Sequence, residues 1–196
     1  MKPTDAKSRL IAAMITALQR RGLHGTGLTE LLAMADAPKG VLYHHFPGGK
    51  NELAVAAVHA SVDSMCALLA QRLHGAKDPA EALLAWMHGA QARLHKSGYE
   101  LGCPLAAIAL ETTTEDVDIR AALHAGFARL RESISAALSD AGYDSAIAAS
   151  LASLIVAAYE GGLLQARAAG SPEPMRLVGQ ALFSLVKLHR PEGGNT

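Results

Sequence analysis

Residues 38–50 read PKGVLYHHFPGGK, a short span that sets two imidazoles, a phenol and two lysines around a glycine. These groups can donate and accept hydrogen bonds, but they do not assemble a catalytic set. Adjacent helical residues point about 100° apart, so His44 and His45 cannot readily share one metal ion. No HExxH spacing is present. Gly48 and Gly49 follow a helical stretch instead of opening one after a strand, so they read as a break and not as a phosphate cradle. Cys66 and Cys103 lie far apart with no CxxC or Cys/His ligand spacing, which predicts reduced thiols in a cytoplasmic protein. No catalytic residue, metal site or cofactor is predicted. The chemistry left is recognition of another polar surface.

On a helical wheel with Leu42 facing inward, Phe46 falls beside it, and these two anchor the segment to a core. Gly40 and His44 take the outer pole, with Val41 and Tyr43 on the flanks. A glycine there removes bulk where a backbone must approach a groove floor. Val41 can touch a thymine methyl, and Lys39 and His44 can reach base acceptors or phosphates. Tyr43 and His45 offer donors to phosphate oxygens, and Lys50 adds a cation beyond the helix end. The helix spans about 13 Å, which suits a major groove about 12 Å wide.

The elements that must position this face are helical. Half of the chain is hydrophobic, much of it alanine, and only 4% is aromatic, which favours close-packed helices over strands. Leu10, Ile11, Met14, Ile15 and Leu18 recur at helical spacing, and Gly22 is placed to end that helix. Leu28–Ala35 forms a second, short helix behind Gly27 or Thr26, and Pro38 opens the third. A long fourth helix runs from about Asn51 to Leu73. Capping signals follow at Asp78-Pro79-x-Glu81, Thr112-x-x-Glu115, Asp144 and Ser171-Pro172, with Gly161-Gly162 expected to loosen the late turns of the eighth helix. The expectation is an all-α fold of about nine helices. Residues 1–50 form a helix-turn-helix head, 51–190 a ligand-binding and dimerisation body, and 191–196 a disordered tail.

Net charge is zero, yet its distribution is uneven. Residues 1–50 carry seven basic and three acidic side chains, net +4, which leaves −4 on the remainder. A basic head on an acidic body suits a polyanion at one end. The opening MKPTDAKSRL has no apolar signal core, so export is not expected. The uncharged run between Asp144 and Glu160 would span about 22 Å as a helix. That is short of a hydrocarbon core of about 30 Å, so no membrane partner is expected.

The segment Leu28–Leu53, LTELLAMADAPKGVLYHHFPGGKNEL, resembles the helix-turn-helix of TetR-type transcriptional regulators. Their pattern runs through an Ala-Gly-Val-like turn, a Gly-(Thr/Ser)-Leu-Tyr-x-His-Phe helix and Lys-x-x-Leu. YHHFPGGK, with the later GCPLAAIALE, resembles the LmrA/YxaF-like branch. The resemblance covers the first 60 or so residues by motif and the rest by helix number and length. Carried over, it makes Lys39, Gly40, Val41, Tyr43, His44, His45 and Lys50 the DNA-facing set, in agreement with the wheel. Asp36 stands where the family has a turn glycine, and aspartate tolerates positive φ better than most residues. Val41 stands where the family has Thr or Ser, and so lacks a hydroxyl.

In the alanine-rich body Trp86, Met87, Phe127 and Tyr159 are the few large side chains. With Cys103 and Ile108 they are candidate walls of an effector pocket. Glu111, Glu160 and Gln165 are candidate polar anchors. Cys103, at a helix start before Pro104, is either a thiol sensor or a structural wall residue. Apolar surface on the last two helices predicts a homodimer through Leu151, Leu154, Ile155, Ala158, Val178, Leu182, Leu185 and Val186. In the resembling family these helices form a four-helix bundle across a two-fold axis. The resemblance thus implies a repressor that binds palindromic double-stranded operator DNA and leaves it on binding a small apolar or aromatic effector. The alternative is a helical small-molecule-binding protein or enzyme without DNA binding.

Overall fold

A computed structural model describes residues 5–191, and among them there are nine α-helices and no strand. The helices are α1 (Ala6–Arg21), α2 (Leu28–Ala35), α3 (Lys39–His45), α4 (Gly49–Leu73), α5 (Pro79–Lys96), α6 (Pro104–Ala109), α7 (Val117–Asp140), α8 (Ser145–Ala169) and α9 (Glu173–Leu188). Of the expected disordered tail, residues 192–196 lie outside the described residues.

Local chemistry sets most of the boundaries. Asp5 caps α1 by accepting from the Ser8 amide at 2.8 Å, and Gly22 ends it at φ +75°, a conformation costly for any residue with a Cβ. Asp36 ends α2 in the left-handed region, at φ 48°, as its side chain permits. Asp78 accepts from the Ala80 amide, and Asp144 from Ala146 and Ile147, so both predicted caps form. At the capping signal foreseen at Thr112 and Glu115 the bonds run one residue later and hold the turn before α7, where Asp116 accepts from the amide and hydroxyl of Thr113. Helix α4 starts two residues earlier than expected, since the Glu52 carboxylate holds the Gly48 amide at 2.7 Å and Gly49 supplies the positive φ. Gly161 and Gly162 do not interrupt α8. A Cβ on Gly162 would sit 2.8 Å from Met175 Sδ, so this glycine permits close approach of α9.

The chain falls into two compact units that do not follow the expected division at residue 50. One holds the residues up to Asp63 together with Leu101–Gly126; the other holds Ser64–Glu100 and the residues from Phe127 onward. In the first, Leu10, Met14, Leu18, Leu31, Leu42, Phe46 and Leu53 form a fully enclosed core, joined by Leu105, Ile108 and Ile119. Helix α7 meets α4 at Gly126, where a Cβ would come 2.6 Å from Val62 Cγ2. In the second unit α5, α8 and α9 pack around Leu83, Met87, Leu151, Ile155, Leu182 and Val186. Asp78 at the start of α5 pairs with Lys187 near the end of α9, and the Tyr143 hydroxyl donates to Val186 O at 3.1 Å.

Helices α4 and α8 are long and apolar enough to cross a membrane by length and composition alone. The sequence estimate for α8 was too short because it stopped at Glu160, whereas the helix continues past Arg167 to Ala169. Both helices bury 44% of their most apolar window within the protein.

Candidate nucleic-acid interface and effector residues

The short helix α3 is held by two side chains on one face. Leu42 is wholly buried and Phe46 nearly so, and both sit in the core under α1. Arg9 of α1 fixes the turn that precedes α3, donating from Nε to Ala35 O at 3.0 Å and from Nη2 to Asp36 O at 3.1 Å. These are the orphan carbonyls at the end of α2, and a guanidinium satisfies them with charge-assisted bonds. The sequence reading did not assign Arg9 this role. Its one signal was a basic residue on a face of α1 away from the apolar stripe.

The opposite face of α3 is open. Lys39, Gly40, Tyr43 and His44 are exposed, and Val41 and His45 are half-buried on the flanks. A Cβ added to Gly40 would meet nothing within 4 Å. The Lys39 ammonium lies 5.9 Å from the Tyr43 ring centroid, and the His44 and His45 rings meet edge to face at 4.9 Å. The Tyr43 ring in turn covers Gly49, 3.3 Å from where a Cβ would stand. Six of the seven residues assigned to DNA therefore occupy one continuous outward surface or its flanks.

Lys50 does not join them. Its ammonium turns inward and donates to Leu23 O at 2.5 Å and Thr26 O at 2.6 Å, tying the first turn of α4 to the α1–α2 connection. Burial pulls its pKa below the usual lysine value, with the Glu111 carboxylate opposing that shift. The DNA-contact assignment for Lys50 is thus replaced by an internal one, because two buried carbonyls compete for the cation.

Of the effector candidates, Trp86, Met87 and Tyr159 are buried together in the second unit, where the Trp86 and Tyr159 rings stack at 4.3 Å and 19°. The indole Nε1 of Trp86 is buried without a hydrogen-bond partner. Phe127 and Glu160 are half-buried in the same unit, and Gln165 is exposed. Cys103, Ile108 and Glu111 belong to the first unit. Cys103 is the N-cap of α6 and nearly enclosed. The pocket-anchor assignment for Glu111 fails, since its carboxylate is bound to the α1–α2 connection, accepting from the His24 amide at 2.8 Å. The first unit also contains a cleft of about 650 Å³ between α4 and the start of α7, lined by Val55, His59, Ile119 and Ala125, and none of the nominated residues lines it. Among the described residues, no group of three or more His, Cys, Asp or Glu side chains is placed to hold a metal.

The dimer candidates divide likewise. Leu151, Ile155, Leu182 and Val186 are core residues of the second unit, which corrects their assignment to an outer face. Leu154 is exposed, and Ala158, Val178 and Leu185 are half-buried. The exposed large apolar side chains on these helices are Leu154 and Leu164 of α8 and Leu177 and Leu188 of α9.

Family comparisons meet this geometry over nearly the whole chain. Residues 10–57 match the model for bacterial regulatory proteins of the tetR family. Residues 79–181 match that for the C-terminal domain of LmrA/YxaF-like transcriptional regulators. The chain belongs to the TetR family. It is a helix-turn-helix transcriptional regulator of the LmrA/YxaF-like branch. Relatives include the regulator LmrA of Bacillus subtilis, 27% identical over 183 residues that cover 93% of this chain and 97% of LmrA. YxaF of the same organism is also 27% identical, covering 93% and 96%. Among solved TetR structures, a regulator from Rhodobacter sphaeroides superposes with a TM-score of 0.82 at 26% identity, over 91% of this chain and 97% of that one. One from Legionella pneumophila gives 0.85 at 22% identity over 94% and 99%, a likeness of fold alone. The family is one of transcriptional regulators.

Proposed function

We propose that the protein is a homodimeric repressor whose two α3 helices occupy successive half-sites of a palindromic operator, and that a small apolar or aromatic effector releases it. The observation that carries this reading is the open face of α3. It presents Lys39, Gly40, Tyr43 and His44 to solvent while Leu42 and Phe46 lock its inner side. A face of small and polar groups with no bulk at its centre fits a major groove.

Dimerisation rests on α8 and α9. The outward stripe of α8 runs through Ser150, Leu154, Ala157, Gly161, Leu164 and Ala168 without a charge, and α9 adds Leu177 and Leu188. Small residues flanked by leucines let two copies approach closely in a four-helix packing. The two recognition helices must be separated by about 34–36 Å or a multiple of it. Helix α4 starts directly after α3, so an effector that favours a tilted α4 changes that separation. By linkage, operator DNA weakens effector binding by the same factor. The reading places the protein in the cytoplasm, with α4 and α8 as packing helices.

Selection of operator sequences from random duplex DNA tests the proposal, followed by titration of candidate effectors against the complex. A palindromic site bound by a dimer is expected. Trp86 is the single tryptophan in the chain, so its fluorescence reports effector binding at the Tyr159 stack. Failure to bind any duplex even at low salt would refute the reading.

A further inference from the structure

The short helix α6 is fastened to α1 and its following turn at both ends. Before it, the Gly102 amide donates to Gln19 O in the last turn of α1, at 3.2 Å. After it, Glu111 reaches the α1–α2 connection. One carboxylate oxygen accepts from the His24 amide at 2.8 Å and lies 3.1 Å from the His24 ring Nδ1. The other lies against Gly22, only 1.6 Å from where a Cβ would stand. Gly22 therefore has two duties, since it takes φ +75° to end α1 and leaves the room that the carboxylate fills. From the other side the Lys50 ammonium binds Leu23 O and Thr26 O of the same connection. The turn between the first two helices is thus gripped by an anion at the end of α6 and a cation at the start of α4.

We propose that Glu111 is a positioning residue for operator binding: its carboxylate locks the α1–α2 connection to α6, so that the aim of α3 is set from α6 as well as from α4. The proposal rests on the operator-binding reading of α3 and adds a second strut to it. Helix α3 reaches the turn through α1, which holds the end of α2 by the Arg9 bonds and shares with α3 the core around Leu42 and Phe46. Releasing Glu111 frees the connection and spreads the head over several orientations. Only a fraction of these is binding-competent, and apparent operator affinity falls by that fraction. Glu111 is remote from the open face of α3 in chemistry as well as sequence, being an anion that DNA would repel. Its removal by a direct electrostatic route would strengthen binding, whereas loss of positioning weakens it.

Two conservative substitutions in the full-length protein separate reach from charge. Glu111→Gln keeps an oxygen at the same reach and loses the charge; Glu111→Asp keeps the charge and withdraws it by one methylene. Amide exchange at His24, measured without DNA, reads the lock itself. Operator affinity and its salt slope read the consequence. Glu111→Asp is expected to speed His24 exchange about ten-fold, the worth of a hydrogen bond to a charged group, and to weaken operator binding about three- to ten-fold with an unchanged salt slope. Glu111→Gln, which keeps the acceptor in reach but loses the charge, should fall between the parent and the Asp variant, within about three-fold of the parent in both. The reverse order, with Gln damaging and Asp silent, would overturn the proposal, as would unchanged His24 exchange in the Asp variant. A parent that binds no duplex would sink the operator reading instead, while His24 exchange would still decide whether the lock exists.

Discussion

Gly40→Ala separates a glycine that the fold requires from one that a groove requires. Gly40 is the second residue of α3, its φ lies outside the left-handed region, and a Cβ there meets nothing within 4 Å. The substitution therefore creates no clash in the free protein. It removes the entropic cost of glycine in a helix, about 0.5–1 kcal/mol, less near a helix end. For a chain of this size that corresponds to a melting temperature higher by about 1–3 °C. Binding should change in the opposite direction. If the α3 backbone rests on base edges, the added methyl occupies the contact distance, and the helix must lift off or tilt. A displacement that loses one good base contact costs about 1–3 kcal/mol, or about five- to 160-fold in operator affinity.

The assay pairs thermal unfolding with fluorescence anisotropy on the selected operator, and adds a scrambled duplex for non-specific binding. A variant that is more stable, weaker on operator and unchanged on scrambled DNA is the expected result. Operator binding equal to the parent's, together with the stability gain, would refute the placement of this backbone on the groove floor. A lower melting temperature would refute the premise of open space.

Other perturbations address the remaining assignments. His44→Ala should weaken operator binding by about 1–3 kcal/mol if the imidazole contacts a base edge, with little change in stability, because the side chain is exposed. Lys50→Ala should leave the salt slope of operator binding as it is, and should lower stability by about 1.5–3 kcal/mol through two lost charge-assisted bonds, as read by denaturant unfolding. Leu154→Glu should yield a folded monomer by sedimentation, whereas Ile155→Ala, one residue away but enclosed, should cost about 2–5 kcal/mol of stability. For Asp78, burial pushes the pKa up, but the Lys187 and Ala80 hydrogen bonds and the Lys187 and Arg190 charges outweigh it, and the net shift is downward. Its stabilising contribution is therefore complete above the unfolded value near 3.8 and is lost as pH falls through the lower folded value. Acid unfolding curves taken below about pH 4 should be shallower for Asp78→Asn than for the parent.

What the sequence made legible was local. Asp36 in the turn, the caps at Asp78 and Asp144, and the inward pair Leu42 and Phe46 are each fixed by residue type and helical spacing within a few positions. The pattern failed where the deciding partner is remote in the chain. Lys50 reads as a phosphate ligand because it follows a recognition helix, and nothing nearby reveals that the Leu23 and Thr26 carbonyls lack donors. Glu111 reads as a pocket anchor because it ends an apolar helix, while its partner His24 lies 87 residues earlier. The same limit explains α8. Its apolar residues surround the helix, so a wheel cannot say which side the unit keeps, and the neighbours Leu154 and Ile155 are assigned alike until packing on α5 and α9 separates them.

The two misread charges have a common physical origin. A turn between helices leaves several backbone groups without partners, and burial makes each unfilled one costly. At the α1–α2 connection a lysine supplies donors to the carbonyls and a glutamate an acceptor to an amide, so charge that reads as surface chemistry is consumed by the backbone. The head's basic excess is correspondingly smaller at its surface than in its sequence. With Lys50 turned inward, Arg9 committed to the end of α2 and Arg21 paired with Glu30, the exposed cations of the head among the described residues include Lys39 at the start of α3 and Lys7 on α1. A salt slope smaller than the head's full count of basic residues follows directly.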